Sequence, residues 1–96
     1  MALVHSYALT AREGSGDAMQ EAFEALAEAV KTIAGSKGAM VLRDRKDPLK
    51  FLFLEFWTDE ASRNAAGPQL PKAVMGRLMA AVSGPLQMNG WDQVAG

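Results

Sequence analysis

KFLFLEFWTDEASR, Lys50 to Arg63, decides how the rest of the chain can be arranged. Five of the residues from Phe51 to Phe56 are Phe or Leu, and Glu55 is the one charge before Trp57. A strand with one solvated face alternates apolar with polar residues. Here Phe51, Phe53 and Trp57 share one face while Leu52, Leu54 and Phe56 share the other. The segment therefore predicts a strand with apolar groups on both faces. A single layer of helices covers only one face, so a second copy of the chain is expected on the other.

Working outward, Lys46-Asp47-Pro48 supplies turn chemistry, and Ala39 to Arg45 reads as a strand forming a hairpin with the opening segment. Upstream, Met19, Phe23, Leu26, Val30 and Ile33 recur at intervals of three and four, predicting an amphipathic helix. Asp17 with Gln20 forms a candidate capping box at its start, and Gly35 is its expected stop, with Gly38 easing entry to the next strand. Ala2 to Ala11 reads as a first strand, with Leu3, His5, Tyr7 and Leu9 on one face. Neither of its faces is strongly charged, which predicts a central position.

After Trp57, Thr58 is the expected N-cap of a short helix ended by Gly67-Pro68. Pro71 opens a second segment striped with Val74, Met75, Leu78, Met79 and Val82. Gly84-Pro85 closes it, and Leu86 to Val94 forms a weaker last strand. The order βαββαβ, over residues 1–96 as one domain, predicts an α+β, ferredoxin-like fold: a four-stranded antiparallel sheet with its helices on one face. The bare face predicts a homodimer paired sheet against sheet, forming a dimeric α/β barrel.

Composition narrows function by exclusion. At 96 residues a single core buries only about two-thirds of the unfolded surface, which favours association. A net charge of −1 without basic runs argues against a nucleic-acid partner. Cysteine is absent, so disulfides, thiolate nucleophiles and cysteine-ligated metals are excluded. No run approaches the roughly 20 apolar residues of a membrane span, and the first residues do not read as a secretory signal. The expectation is a cytoplasmic protein with no membrane partner.

The hairpin and its continuation, Val41-Leu42-Arg43-Asp44 through Asp47-Pro48 to Phe53-Leu54-Glu55-Phe56-Trp57-Thr58-Asp59-Glu60-Ala61, resembles the signature of antibiotic biosynthesis monooxygenase domains. A glycine before the first helix, Phe23 within it and Gly38 extend the resemblance over nearly the whole chain. The resemblance implies a dimeric α+β barrel with a pocket between sheet and helices. It implies cofactor-independent oxygenation of a small aromatic, quinol or polyketide-like molecule. Such chemistry needs a dry pocket, aromatic surfaces to orient the ring and a few polar groups that favour its anion. A non-catalytic dimeric domain binding a small hydrophobic molecule is the alternative reading.

The candidate catalytic residues are His5, Tyr7, Trp57 and Asn64, with Trp57, Met75 and Met79 as candidate substrate contacts. His5 and Tyr7 share a strand face by the period of two, and histidine ordinarily exchanges protons near neutrality. Either residue is equally compatible with a structural role if that face meets a partner sheet. Asn64, seven residues after Trp57, either reaches a pocket mouth or is a surface residue before the Gly-Pro break. Met75 and Met79 suit an adaptable pocket or an ordinary core stripe. Arg43 and Glu55, on neighbouring strands, are expected to form a structural ion pair, since a charge on an apolar strand needs a partner. Glu55 as general base is the second reading. Haem-degrading members carry a histidine where this chain has Ala66, and His5 is the only histidine, so haem ligation is not expected. No cofactor and no metal are called for.

Overall fold

The structure, a computed structural model, describes residues 2–96. The described elements run β1 (Leu3–Ala11), α1 (Gly16–Lys31), β2 (Ser36–Arg43), β3 (Lys50–Trp57), α2 (Glu60–Ala66), a single 3-10 turn at Gly67–Gln69, α3 (Lys72–Ala81) and β4 (Val82–Asp92). The sheet is antiparallel with strand order β2-β3-β1-β4, which places β1 and β3 at its centre. This is the α+β, ferredoxin-like arrangement expected from the sequence. Among the described residues no helix is long and apolar enough to cross a membrane.

The period of two in β3 resolves into two environments. Phe51, Phe53, Glu55 and Trp57 are buried against the helices, while Leu52, Leu54 and Phe56 are half-buried on the opposite face. The core fills between. Met19, Phe23, Leu26 and Val30 of α1 are all buried, as the helical spacing requires, and Phe23 stacks on Phe53 with ring centroids 5.2 Å apart. From α3, Val74, Leu78 and Ala81 close the same core. On the bare face, Met40, Leu42 and Trp91 are each close to half exposed, beside Leu52, Leu54 and Phe56. Trp91 donates its Nε1–H to Ser6 Oγ at 2.8 Å, so one exposed indole lies over the polar atom of β1.

Several element ends differ from the expectation, each for a local reason. β4 begins at Val82, directly after α3, rather than at Leu86. Gly84, with φ +75°, lies where the β1–β4 register shifts, and Pro85 is tolerated because β4 is an edge strand. The N-cap of α2 is Asp59, not Thr58: its carboxylate accepts the Ser62 N–H at 2.8 Å. Thr58 instead donates both its N–H and its hydroxyl to Gly35 O. α1 stops at Lys31, before Gly35. Gly35 takes φ +86° in the following turn, where a Cβ would collide with Ser62, so this turn and α2 approach at a distance only glycine permits.

The capping box at the start of α1 does not form. Ser15 occupies the N-cap position without a side-chain bond, and Asp17 and Gln20 both turn to Arg43. Arg43 Nη1 donates to Asp17 Oδ1 at 3.0 Å and to Gln20 Oε1 at 2.8 Å, and its Nε donates to Pro48 O at 2.7 Å. Its guanidinium also lies 5.1 Å from the Phe51 ring centroid. Arg43 thereby clips the β2–β3 turn to the first turn of α1. Its expected pairing with Glu55 is absent, because the ladder sets Arg43 opposite Phe51 and Ala39 opposite Glu55. Arg43→Met should lower stability by about 1–2 kcal/mol, since the three bonds donated by the guanidinium are lost at a half-buried site. Asp17→Asn should change it by less than about 0.5 kcal/mol, because that carboxylate is solvated. Urea unfolding of both variants checks the contrast.

Candidate functional site

Antiparallel register between the two central strands creates the site. His5 faces Glu55 and Tyr7 faces Phe53 across the β1–β3 ladder, and all four side chains point toward the helices. The face carrying His5 and Tyr7, which the period of two leaves unassigned, is therefore the one beneath the helical layer. A carboxylate at this position is unusual among Phe51, Phe53 and Trp57, so its bonding is decisive.

Glu55 is 6% exposed. Its Oε1 accepts from Trp57 Nε1 at 3.1 Å and from the Tyr7 hydroxyl at 3.4 Å. The Tyr7 oxygen in turn accepts from Arg63 Nη2 at 2.9 Å. The four side chains make one chain of hydrogen bonds running from the buried indole to a guanidinium on α2. Burial raises the Glu55 pKa above the ordinary 4.5, against the opposing influence of the Trp57 bond and the nearby Arg63 charge. Burial likewise raises the Tyr7 phenol above 10.0, opposed by the Arg63 hydrogen bond. Donation to Tyr7 raises Arg63 in turn. The result is a carboxylate with an enhanced appetite for protons, beside a phenol held in its neutral form.

Beside this chain lies a cavity of about 130 Å³. Its deep wall is Phe23, Leu26, Phe53 and Leu78, all buried; Leu70, Met75, Met79 and Leu86 stand nearer its rim. Tyr7 and Glu55 are the polar side chains in its lining. A larger hollow of about 520 Å³ opens elsewhere, among Thr10, Leu42, Lys50, Leu52 and Gln87, and Tyr7, Glu55, Trp57 and Arg63 are all outside its lining.

The residues singled out from the sequence separate accordingly. Tyr7, Met75 and Met79 line the cavity. Trp57 is 1% exposed and stands behind Glu55 rather than in the cavity lining, so it reaches the site through its N–H. Asn64 is exposed on α2 and accepts from Arg63 Nη1 at 3.5 Å, outside the cavity lining. His5 is buried, with Nε2 3.8 Å from the exposed Glu60 carboxylate, and its Nδ1 has no hydrogen-bond partner among the described residues. The expected Arg43–Glu55 pair is replaced by separate partners: Asp17 and Gln20 for Arg43, Trp57 and Tyr7 for Glu55.

Arg63 escaped the sequence reading altogether. Its only signal is its place in the helix after Trp57, where Asp59 caps the first turn and sets the helix phase. Phe53, treated there as part of a hydrophobic run, proves to be a wall of the cavity.

Comparison with known proteins follows from this geometry. The fold matches a cofactor-independent oxygenase, SnoaB of Streptomyces nogalater, with a TM-score of 0.83 at 15% identity, over 99% of this chain and 95% of that one. NE2512 of Nitrosomonas europaea, a protein of unknown function, matches with a TM-score of 0.82 at 20% identity, over 99% of this chain and 91% of that one. PA3566 of Pseudomonas aeruginosa matches with a TM-score of 0.79 at 22% identity, over 98% and 95%. At such identities these likenesses speak for the fold alone. Among curated proteins none matches the sequence. The family model described as antibiotic biosynthesis monooxygenase matches residues 3–66, from the start of β1 to the end of α2, and so takes in Tyr7, Glu55, Trp57 and Arg63. The chain belongs to the antibiotic biosynthesis monooxygenase family.

Proposed function

We propose that the chain is a cofactor-independent monooxygenase. It acts in the cytoplasm, as a homodimer joined through the bare sheet face, on a small electron-rich phenol, quinol or polyketide-like aromatic. The observation that carries this reading is the buried Glu55 carboxylate in the lining of an apolar cavity, oriented by Trp57 and Tyr7.

Glu55 is the general base. Its elevated proton affinity brings it closer to the pKa of a phenol, which is the condition for efficient proton transfer near neutrality. Proton removal leaves an electron-rich phenolate against largely apolar walls. The Arg63 guanidinium, holding the Tyr7 hydroxyl, orients that dipole and stabilises the developing negative charge. The anion gives an electron to oxygen, the radical pair joins at a ring carbon, and the resulting peroxide loses water. One oxygen atom becomes the new ring carbonyl and the other leaves as water, which takes the ring hydrogen and one proton from solvent, equal to the hydroxyl proton that Glu55 releases. All four electrons come from the substrate, so the overall step is phenol plus O2 to quinone plus water.

Other residues serve this centre. His5, opposite Glu55 in the ladder and beside the exposed Glu60, returns the captured proton to solvent. Asn64 steadies the Arg63 head, and Met75 and Met79 shape themselves to the ring. Oxygen consumption with hydroquinones, phenols and anthrones, without added metal or flavin, is the test: uptake above background is expected, and none with any of them would end the reading. Arg63→Met should lower the uptake rate about tenfold through loss of one charge-bearing donor, with only a small fall in melting temperature at this half-buried position.

A dimeric small-molecule-binding domain without turnover is the second reading, favoured by the almost wholly apolar walls. A ligand-induced rise in melting temperature without oxygen uptake would establish it.

A further inference from the structure

Arg63 stands beside the cavity as a cation without an anion of its own. None of the ion pairs among the described residues involves it. Its Nη2 donates to the Tyr7 hydroxyl at 2.9 Å and to Met88 Sδ at 3.4 Å, and its Nη1 donates to the neighbouring Asn64 amide oxygen at 3.5 Å. All three acceptors are neutral. A guanidinium carries five N–H groups, so some remain without an acceptor among the described residues, and one is spent on a thioether, a weak acceptor. Glu60 lies one helical turn earlier, yet its carboxylate is the one found 3.8 Å from His5 Nε2.

The rim around the cavity has the same sign. From Ala61 to Trp91 the chain has no acidic residue and three basic ones, Arg63, Lys72 and Arg77, and this run supplies Leu70, Met75, Met79 and Leu86 of the lining. Lys72 shares the face of α3 that carries Met75 and Met79, by spacings of three and seven. Met79 and Leu86 are close to half exposed, as is Met88 on the same face of β4, so the mouth opens to solvent between apolar side chains and cations.

We propose that this mouth is an anion subsite: the ligand carries a carboxylate that stays at the mouth and pairs with the Arg63 guanidinium while its hydroxylated ring lies in the cavity. The inference deepens the reading above by naming the ligand as an aromatic acid, and it rests on that reading only for the hydroxyl directed at Glu55. Met88 Sδ yields its N–H to the carboxylate, and Nη2 keeps its bond to Tyr7. The Tyr7 hydroxyl bridges Arg63 and Glu55, so the ligand's carboxylate meets the guanidinium and not the buried base. A charge-assisted pair at this half-buried position strengthens binding about tenfold or more.

Calorimetric titration of the full chain with para-hydroxyphenylpropanoate and with its primary amide tests this directly, because the two differ in charge and hardly in size. The acid should bind about tenfold or more tightly than the amide, a preference that shrinks in high salt. Arg63→Met should bring the two within about threefold of one another, chiefly by weakening the acid. If Arg63 only positioned Tyr7, its loss would weaken acid and amide alike, so an unchanged ratio in Arg63→Met would overturn the inference. Equal binding of acid and amide to the unsubstituted protein, or binding of neither, would overturn it too. Oxygen uptake with the same two compounds and with para-cresol separates this inference from the reading beneath it. Uptake without any preference for the acid would remove the subsite and leave the oxygenase reading in place. An Arg63-dependent preference without uptake from any of them would remove the oxygenase reading and keep the subsite.

Discussion

Glu55→Gln should abolish most oxygen uptake, by about a hundredfold or more, while leaving the protein folded and at least as stable at neutral pH. The amide keeps an oxygen that accepts from Trp57 Nε1 and the Tyr7 hydroxyl, so the hydrogen-bonded chain retains its acceptor. What it loses is the ability to take a proton. The pH profile follows from the direction of the shift. The base works when ionised, so the rate should rise with pH along an acid limb centred above the ordinary glutamate value of 4.5, and Glu55→Gln should flatten that limb. The stability effect has the opposite slope. A carboxyl whose folded pKa is raised favours the folded state in acid, and this contribution is lost as pH rises through the folded value. Melting temperatures should therefore show Glu55→Gln gaining on the unsubstituted protein between mild acid and neutrality. If Glu55→Gln turned over at the original rate, the carboxylate would not be the base.

Trp57→Ala should destabilise the protein by about 3–5 kcal/mol, the range for removing a fully buried large aromatic side chain. Trp57 pairs with Leu3 across the β1–β3 ladder and with Ser36 across β2–β3, so the cavity it leaves would open between both neighbours of the central strand. Trp57→Phe separates the indole's two duties. Most of the buried surface is kept and the Nε1–H is not, leaving Glu55 with one donor fewer. Since that bond lowers the Glu55 pKa, its removal should move the acid limb of the rate profile to higher pH, with a stability loss of about 1–2 kcal/mol. Thermal unfolding and the rate profile of the same sample check both statements. An unmoved acid limb in Trp57→Phe would mean the indole serves packing alone.

These two residues show where sequence reasoning reaches and where it stops. The alternation in Phe51 to Trp57 and the spacing of three and four in Met19 to Val30 follow from backbone geometry, which depends only on local sequence. The order of elements, the antiparallel sheet and the central place of β1 and β3 were accordingly legible. So were the two apolar faces of β3, with Phe51, Phe53 and Trp57 on one and Leu52, Leu54 and Phe56 on the other, whereas which of them meets the helices was decided only by the packing. Helix ends were less legible. Asp17 and Gln20 have the spacing of a capping box, yet an arginine from β2 outcompetes the backbone for both.

The site itself required the register. Charge complementarity joins Arg43 to Glu55 on paper, whereas the ladder places them four residues apart along the hairpin and gives each nearer partners. Tyr7 and Glu55 meet because the β1–β3 pairing places them two residues apart on one face, and Arg63 reaches them because α2 folds back over that face after Asp59 caps it. Sequence alone determined which fold the chain adopts and which strand faces are apolar, since periodicity is a local property. Tertiary structure alone decided that a glutamate, a tyrosine, a tryptophan and an arginine share one hydrogen-bonded line beside an apolar cavity, because hydrogen bonds form between neighbours in space and not in sequence.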